Sequence, residues 1–182
     1  NMKNIFEKGW TGSETVCGWG SEIEHTTSIR EDLLEIIKLY NIKTINDAGC
    51  GDLNWISTVD LSEVDYLGYD LVSRELWNKQ LKCQELDITE ETMRPADLIL
   101  CRDVFIHLPN HMIIKSIDLF RKSAKYLLST TFMKADNKGR ITEPSMPYSK
   151  LDLTEHPFSL GKSLLCVEED YKNKFSCLWR IK

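Results

Sequence analysis

A short run at positions 43 to 51, Lys-Thr-Ile-Asn-Asp-Ala-Gly-Cys-Gly, places an acidic residue and two glycines at the end of a predicted strand. Gly49 and Gly51 lack a Cβ, so the backbone there can approach a ligand closely or adopt positive φ. The carboxylate of Asp47 can accept hydrogen bonds from a ligand. A second predicted strand ends at Asp70, 19 positions after Gly51 (70 − 51). An acid at this spacing binds the ribose hydroxyls in nucleotide-binding α/β folds, so the pattern predicts a nucleoside site.

The residues after the glycines argue against a dinucleotide. The turn lacks the third glycine of G-x-G-x-x-G and continues as Asp52-Leu53-Asn54. No glycine opens the next segment for contact with a pyrophosphate, and the carboxylate of Asp52 would repel a diphosphate. A nicotinamide-dependent oxidoreductase is therefore disfavoured.

Bulk composition limits the class of protein. The chain has 182 residues, 42% of them hydrophobic, which fits one domain spanning 1–182. A net charge of −5 without a long basic run disfavours nucleic acid as a partner. No apolar run approaches the ~20 residues of a membrane span, and the first residues lack the apolar region of a signal peptide. We expect a cytoplasmic protein that does not insert into a membrane.

Cysteine and histidine spacing predicts neither a metal site nor a disulfide framework. The six cysteines are widely scattered, and we expect most of them to be reduced and buried: they are at positions 17, 50, 83, 101, 166 and 177. His25, His111 and His156 show no tight metal-ligand spacing with the acids. No metal is predicted.

Hydrophobic periodicity predicts alternating strands and helices. An amphipathic helix should cover 28–40, with Thr27 or Ser28 as its N-cap, and a second should cover 110–122. Strands are predicted at 43–47, 65–70, 82–86, 97–102 and 125–130, joined by crossovers at 52–60, 72–80 and 110–122 and by a turn near 89–94. This alternation predicts an α/β fold with a parallel sheet and helices on both of its faces.

Three further segments fall outside this alternation. Residues 1–27 read as a loop-rich cap, and 133–160, with three of the five prolines, as an irregular insertion on the substrate side of the sheet. Two strand-like runs, 163–168 and 175–181, are joined by a polar turn. They predict a C-terminal antiparallel hairpin.

Four motifs together resemble class I S-adenosylmethionine-dependent methyltransferases in order and spacing. They are Asp-Ala-Gly-Cys-Gly from position 47, Gly-Tyr-Asp from 68, Asp-Ile from 87, and Asp-Leu-Ile-Leu-Cys-Arg-Asp from 97, and the resemblance covers about 43–130. It implies a Rossmann-like, seven-stranded, mostly parallel sheet whose last strand is antiparallel. The implied cofactor is S-adenosylmethionine, which leaves as S-adenosylhomocysteine. Its sulfonium and ammonium tolerate nearby acids such as Asp52, unlike a diphosphate.

A narrower resemblance is to small bacterial and phage methyltransferases. It rests on Trp-Gly-Ser at 19–21, D-x-G-C-G-D-x-x-W at 47–55, R-D-x-x-x-H-L at 102–108, and Pro-Phe at 157–158. These enzymes modify surface sugars or small metabolites, so the implied acceptor is a small molecule or a sugar.

The family resemblance also implies roles for individual residues. It places the turn of 49–51, including Cys50, beside the methionine part of the cofactor, and Asp70 with the adjacent Leu71 at the ribose. Asp87 would contact the adenine amino group and Ile88 the ring, although Asp87 also reads as the cap of a local turn. Arg102 and Asp103 would line the cleft at the end of the fourth strand.

Two of the remaining candidates have equally simple structural interpretations. Trp19 could stack on the adenine or the substrate, or it could contribute ordinary packing. Arg102 could anchor an anionic group of the acceptor, or it could pair with Asp103.

His107 is the candidate general base. It follows Asp103 by four positions, and one helical turn would bring the two side chains together as base and orienting acid. The alternative is a histidine that braces the loop after the fourth strand.

The function predicted from the sequence is methyl transfer to an oxygen, or less readily a nitrogen, of a small metabolite or sugar. The acceptor would enter over 131–160 and over 10–30. A catalytically inactive protein that retains the nucleoside site is the alternative.

Overall fold

The computed structural model describes residues 2–72, 81–169 and 173–182. Seven strands form one sheet in the order β3-β2-β1-β4-β5-β7-β6. Strands β1 to β5 pair in parallel, whereas β7 is antiparallel to both β5 and β6. The predicted sheet and C-terminal hairpin are confirmed. The strands are Thr44–Ala48 (β1), Asp65–Asp70 (β2), Cys83–Glu85 (β3), Ala96–Cys101 (β4), Ala124–Phe132 (β5), Leu165–Glu168 (β6) and Lys174–Arg180 (β7).

In the part of the chain that the structure describes, one long helix covers each face of the sheet. Helix α2, Thr27–Leu39, packs on the face to which Leu98 and Leu100 of β4 point, and helix α3, Asn110–Ser123, packs on the face of Ile99. Because strand side chains alternate between faces, the continuous apolar run of β4 packs against the helices on both faces of the sheet. The short helix α1, Met2–Phe6, precedes them in the chain.

The predicted N-cap of α2 is wrong. The helix begins one residue earlier, and its N-cap residue, Thr26, makes no capping hydrogen bond with its side chain. The Thr26 hydroxyl instead donates to the carbonyls of Glu22 and Ile23, 3.1 Å away in each case, in the preceding turn. The chain therefore enters α2 through a 3₁₀ turn, Glu24–Thr26, rather than from an extended segment.

Crossover 52–60 contains no α-helix, contrary to the prediction. It holds a single 3₁₀ turn, Ile56–Thr58. Leu53 has a φ of 63°, which breaks helical continuity directly after the glycines. The carboxylate of Asp52 is also committed to the N-terminal segment, since it accepts hydrogen bonds from the Thr15 hydroxyl (2.5 Å) and the Val16 N–H (3.2 Å). Of crossover 72–80, all but the first residue lies outside the described residues.

The segment 133–160 contains no helix or strand, as predicted, yet it is tied to the sheet. The Phe132 N–H donates to the Leu151 carbonyl (2.7 Å), and the Leu153 N–H donates to the Thr131 hydroxyl (3.0 Å). Leu151 and Leu153 are fully buried. The insertion is thus packed on the end of β5 rather than projecting from it.

One pair of cysteines departs from the reduced state that was expected for most of the six. Cys166 and Cys177 face each other across β6 and β7 and form a disulfide. The other four cysteines are free thiols. Within the described residues, no helix combines the length and the apolar character that crossing a bilayer requires.

Adjacent isoleucines on α3 test the orientation of this helix. Ile113 is fully buried, whereas Ile114 is 37% exposed. We expect Ile113→Ala to lower the free energy of unfolding by about 2–5 kcal/mol, because the truncation leaves a cavity in the core. The matched control Ile114→Ala should cost less than about 1 kcal/mol. Urea unfolding followed by circular dichroism measures both values, and equal losses would contradict the assigned faces.

Candidate functional site

A cavity of about 730 Å³ opens at the carboxyl ends of the parallel strands. Its walls come from the loops after β1 to β5, from the N-terminal segment 2–21 and from residues 146–148. Crossovers diverge at this edge of a parallel sheet and leave a crevice there, which is the usual ligand site of open α/β folds. The volume lies in the upper part of the ~300–1,000 Å³ range of small-ligand pockets, so two small molecules can fit side by side.

The two glycines of the turn are required by close contacts. Gly49 has a φ of 87°, and a Cβ there would lie 2.2 Å from Cγ2 of Val104. Gly51 has a φ of 58°, and its Cβ would lie 2.3 Å from Sγ of Cys17. Both glycines line the cavity. A side chain at either position would displace the neighbouring loop, so the turn fits here only without one.

The N–H groups of the turn are already used within the protein. Those of positions 49 and 50 donate to the Tyr69 carbonyl (2.7 and 3.1 Å), that of 51 donates to the Asp70 carboxylate (2.9 Å), and that of 52 donates to the Cys17 sulfur (3.3 Å). No α-helix lies between the turn and β2, in the described residues 52–64. A diphosphate site needs backbone N–H groups and a helix N-terminus directed at the ligand, and this turn offers neither.

Asp70 and Leu71 lie where the sequence predicted, in the cavity wall at the end of β2. The Asp70 carboxylate accepts hydrogen bonds from the N–H groups of Gly51 and Val72, each at 2.9 Å. These two bonds fix the orientation of the Asp70 carboxylate at the cavity wall.

Asp87 and Ile88 also line the cavity, after β3. Oδ1 of Asp87 accepts from both the N–H (2.9 Å) and the hydroxyl (2.7 Å) of Thr89, so the residue does cap a local turn. Within the described residues, Oδ2 of Asp87 makes no hydrogen bond. The capping role and a ligand-binding role are therefore compatible, one on each oxygen. Ile88 is buried and adds an apolar surface beside Asp87.

Asp47 and Cys50 do not reach the main cavity. Asp47 is buried beneath the turn and accepts a hydrogen bond from the Tyr66 hydroxyl (2.7 Å). Burial raises the pKa of Asp47 to about 7; the Tyr66 hydrogen bond opposes this rise, and the nearby Asp70 adds to it. The Cys50 sulfur lies 3.2 Å from that of Cys83. Both predicted residues line only a side pocket of about 30 Å³, and so they support the turn from below.

Arg102 and Asp103 lie at the floor of the cavity within a buried ionic network that the sequence did not predict. Arg102 donates to Glu169 (2.6 and 3.1 Å) and to the Gly20 carbonyl (2.8 Å), and its Nη1 lies 3.3 Å from the Asp103 carboxylate. Lys174 lies 2.6 Å from Asp103 and 3.1 Å from Glu169. The structure thus shows the pairing of Arg102 with Asp103.

The network fixes the charge state of its members. Burial acts to raise the pKa of Asp103, but Lys174 and Arg102 outweigh it and hold that pKa well below its usual range. Burial likewise acts to lower the pKa of Arg102, but Asp103 and Glu169 raise it. The Thr130 hydroxyl donates a further hydrogen bond to Asp103 (3.0 Å). Asp103 therefore stays ionised and is a poor proton acceptor.

The predicted pairing of His107 with Asp103 is not formed. Asp103 has a φ of 56°, and residues 105–107 form a 3₁₀ turn rather than a helix, so the four-residue spacing does not align the two side chains. Nδ1 of His107 instead lies 3.0 Å from the Ser145 carbonyl. A carbonyl only accepts, so Nδ1 carries the proton and Nε2 of the neutral ring holds the lone pair. Burial lowers the pKa of His107, which keeps the ring neutral.

Trp19 lines the cavity and is 52% exposed. Its ring contacts that of His25, with centroids 3.6 Å apart and the ring planes tilted by 39°. Glu22, Glu24 and His25 form the one cluster of possible metal ligands among the described residues. His25 lies within ion-pair distance of both glutamates, 3.6 and 3.1 Å away, and that pairing accounts for the cluster.

Several cavity residues were not singled out by the sequence patterns. They include Lys174 in the network and the side chains Phe6, Met146 and Tyr148 in the walls. Glu169, behind the wall, completes the network. The prolines of 133–160 did indicate that this segment lies at the site, but they did not identify which of its side chains face inward.

The fold is shared with solved methyltransferase structures. Magnesium protoporphyrin IX methyltransferase (ChlM) from Synechocystis PCC 6803, solved with bound S-adenosylmethionine, is 14% identical with a TM-score of 0.63, over 97% of this chain and 86% of that one. The methyltransferase domain of bacterial CtHen1-CN is 12% identical (TM-score 0.62; 86% and 99% covered). The mitomycin 7-O-methyltransferase MmcR is 13% identical (TM-score 0.57; 77% and 49% covered). No protein-family model matches the sequence, and no curated protein is significantly similar to it.

Titration of Asp47 should be visible in the pH dependence of stability. In the unfolded chain this carboxyl ionises near pH ~4, whereas in the fold its proton is held up to about pH 7. Its contribution to stability is therefore present below pH ~4 and is lost as the pH rises to about 7. Asp47→Asn cannot titrate, so the variant should gain stability relative to the parent between pH ~5 and ~8, on the order of 3 kcal/mol.

Urea unfolding of parent and variant at the two pH values gives this difference directly. Asp118→Asn, on the exposed face of α3, controls for the loss of a surface charge. An Asp47→Asn difference that stays the same at both pH values would contradict the buried, proton-holding state.

Lys174→Met tests the ionic network. The change leaves Asp103 and Glu169 with one cation between them in a buried setting. We expect the free energy of unfolding at pH ~7 to fall by about 3 kcal/mol, since breaking one member of a buried ion pair leaves charge uncompensated. The control Arg121→Met breaks the exposed pair with Asp118 and should cost less than about 1 kcal/mol. Equal losses in urea unfolding would show that the network is not cooperative.

Proposed function

We propose that the protein is a methyltransferase that uses S-adenosylmethionine and transfers its methyl group to an oxygen, or less readily a nitrogen, of a small molecule. The observation that carries this proposal is the glycine turn, whose N–H groups are bonded within the protein, beside a cavity with acids at one end. The turn has no N–H group for a phosphate, whereas Asp70 and Asp87 present carboxylates suited to hydroxyl and amino donors. A nucleoside without phosphates fits this combination.

The matched structures support the same ligand. One of them was solved with S-adenosylmethionine bound, and another is named an O-methyltransferase. In this chain, Asp70 with Leu71 would hold the ribose, and Asp87 with Ile88 would hold the adenine. Gly49 and Gly51 would allow the methionine part to lie against the backbone of the turn.

When bound, the cofactor supplies the methyl group: the new bond to the acceptor forms as the sulfur–carbon bond breaks, and the electron pair stays on sulfur. The chain orients the two reactants and excludes water around them. Both effects speed the transfer because they hold the reactants together in a reactive arrangement. His107 receives the acceptor's proton at Nε2, because its Nδ1 proton is fixed by Ser145. Asp103 does not take a proton, since Lys174 and Arg102 hold it as the anion.

Segments 1–27 and 133–160 would form the acceptor side of one domain. Trp10 and Trp19 from the first segment line the cavity, as do Met146 and Tyr148 from the second. A small metabolite or a sugar is expected as the partner, since the acceptor must fit beside the cofactor within one cavity.

A catalytically inactive nucleoside-binding protein is the second candidate. It is favoured by the pairing of Asp103, which removes one of the two expected catalytic groups. Methylation that depends on both His107 and an added acceptor would separate the two functions, because the inactive protein would bind the cofactor without turnover.

Binding of S-adenosylhomocysteine, measured by isothermal titration calorimetry, tests the cofactor. We expect Asp70→Asn to weaken binding about 10- to 100-fold, since hydrogen bonds to a charged group are worth ~1.5–3 kcal/mol. Asp65→Asn is the matched control, because Asp65 begins the same strand at the opposite edge of the sheet and pairs with Arg94. No heat with the parent protein would overturn the proposed function, and equal affinity of Asp70→Asn would overturn the ribose assignment.

A further inference from the structure

Aromatic side chains are concentrated in one part of the cavity. The ring of His107 contacts those of Phe6 and Trp10, with centroids 6.0 and 5.5 Å apart. Phe132 and Tyr148 are nearly parallel at 6.2 Å. All five line the cavity. They form the aromatic wall, a term used below for these five residues.

The sheet order separates the aromatic wall from the acids. Asp70 ends β2 and Asp87 follows β3, whereas His107 follows β4 and Phe132 ends β5. Three strand spacings separate β2 from β5 in the order β2-β1-β4-β5, which is about 14 Å at ~4.8 Å per strand. A nucleoside at the acids therefore leaves the aromatic wall to the second ligand.

Among the described residues that line this end of the cavity, the two cations are already paired. Lys150 is a third cation near the wall, with its Nζ 5.4 Å from the centroid of the Phe132 ring, but it does not line the cavity. Arg102 and Lys174 are paired with Asp103 and Glu169, and the Arg102 and Glu169 side chains are 4% and 3% exposed. An acceptor with a phosphate or carboxylate would have to compete with Asp103 or Glu169 for the two cations. The network thus disfavours a nucleotide-activated sugar or any other anionic acceptor.

Hydrogen-bonding groups at this end are also few. Apart from the ionic network, the polar side-chain atoms here are those of the His107, Trp10 and Tyr148 rings, together with the hydroxyl of Thr11 beside Trp10. Val104, Ile106 and Met146 add apolar surface beside them. A sugar would bury several hydroxyls against these rings without partners, which costs binding free energy. A flat apolar ring would instead replace water along the whole wall.

We propose, as an extension of the methyl-transfer function above, that the acceptor is an uncharged, planar aromatic hydroxyl compound held by the aromatic wall. The hydroxyl oxygen forms a bond to the methyl carbon as the sulfur–carbon bond of the donor breaks, with that electron pair left on sulfur. The hydroxyl proton passes to Nε2 of His107 and then to solvent. The products are the aryl methyl ether, S-adenosylhomocysteine and one proton.

Three probes of similar size test this acceptor class on the full chain saturated with S-adenosylhomocysteine. They are naphthol, its carboxylated relative hydroxynaphthoate, and methyl glucoside, and calorimetry measures their binding. We expect naphthol to bind at least about 10-fold more tightly than either of the others, because only naphthol is both flat and uncharged. Tighter binding of the glucoside or the hydroxynaphthoate would overturn the proposed class.

Variants locate the binding. Trp10→Leu and Tyr148→Leu should each weaken naphthol binding about 10-fold and change the affinity for S-adenosylhomocysteine by less than about twofold. Tyr40→Leu removes an aromatic ring that contacts Tyr126 outside the cavity, and it should change neither affinity. Naphthol binding that survives both wall substitutions would overturn the assignment of the site.

Transfer from methyl-labelled S-adenosylmethionine completes the test. Naphthol should gain label and the glucoside should not, whereas bound naphthol without label would overturn transfer to its hydroxyl. His107→Gln should lower labelling at saturating naphthol by at least about 100-fold, which exceeds the about 10-fold loss of naphthol binding expected from removing one ring of the aromatic wall. Failure of S-adenosylhomocysteine to bind the parent would overturn the methyltransferase function itself; its binding without naphthol binding would overturn only the acceptor class.

Discussion

Four charged side chains at the floor of the cavity must neutralise one another, and this requirement holds separate parts of the chain together. Arg102 and Asp103 follow β4, Glu169 follows β6, and Lys174 opens β7. A buried charge without a partner costs several kcal/mol, so the antiparallel hairpin cannot shift relative to β4 without a large penalty. Arg102 also donates to the Gly20 carbonyl, which links the N-terminal segment to the same network. The ionic network at the floor of the cavity therefore fixes the positions of the hairpin and of the N-terminal segment beside it.

The glycine turn is constrained in a similar way, by backbone rather than by charge. Its N–H groups are bound to Tyr69, Asp70 and Cys17, so the turn is held between β2 and the N-terminal segment. Because these N–H groups are already hydrogen-bonded within the protein, the turn cannot bind phosphates through them. What it offers to a ligand is the absence of side chains at Gly49 and Gly51, together with the oriented carboxylate of Asp70.

Local patterns were sufficient to predict the sheet, α2 and α3. Periodicity and strand-end glycines depend on neighbouring residues, so a single stretch of sequence carries them. Asp70, indicated by its spacing from Gly51, and Leu71, Asp87 and Ile88, implied by the family resemblance, all line the cavity. The ionic network was missed because Arg102 and Glu169 are 67 positions apart. The His107–Asp103 pairing failed because it assumed a helix where the chain has a φ of 56° and a 3₁₀ turn.

The disulfide could have been found from the sequence. The two predicted strands of the terminal hairpin place Cys166 and Cys177 opposite each other in the register that pairs Leu165 with Leu178 and Val167 with Ser176. The position of Asp47 could not be predicted in the same way. Asp47 and Asp70 both lie at strand ends, and the alternation of side chains along a strand does not show which of them is buried beneath the turn and which lines the cavity.

The proposed role of His107 as a base and the proposed acceptor at the aromatic wall are linked by the acidity of the acceptor hydroxyl. His107 has a pKa below its ordinary value of ~6.5, because it is buried, and so it is a weak base. An aromatic hydroxyl ionises near pH ~10, as in tyrosine, whereas a sugar hydroxyl is a weaker acid. Moving its proton to the same base therefore costs more free energy. A weak base of this kind therefore matches an aromatic hydroxyl far better than a sugar hydroxyl. The burial that weakens His107 and the rings that surround it consequently favour the same class of acceptor.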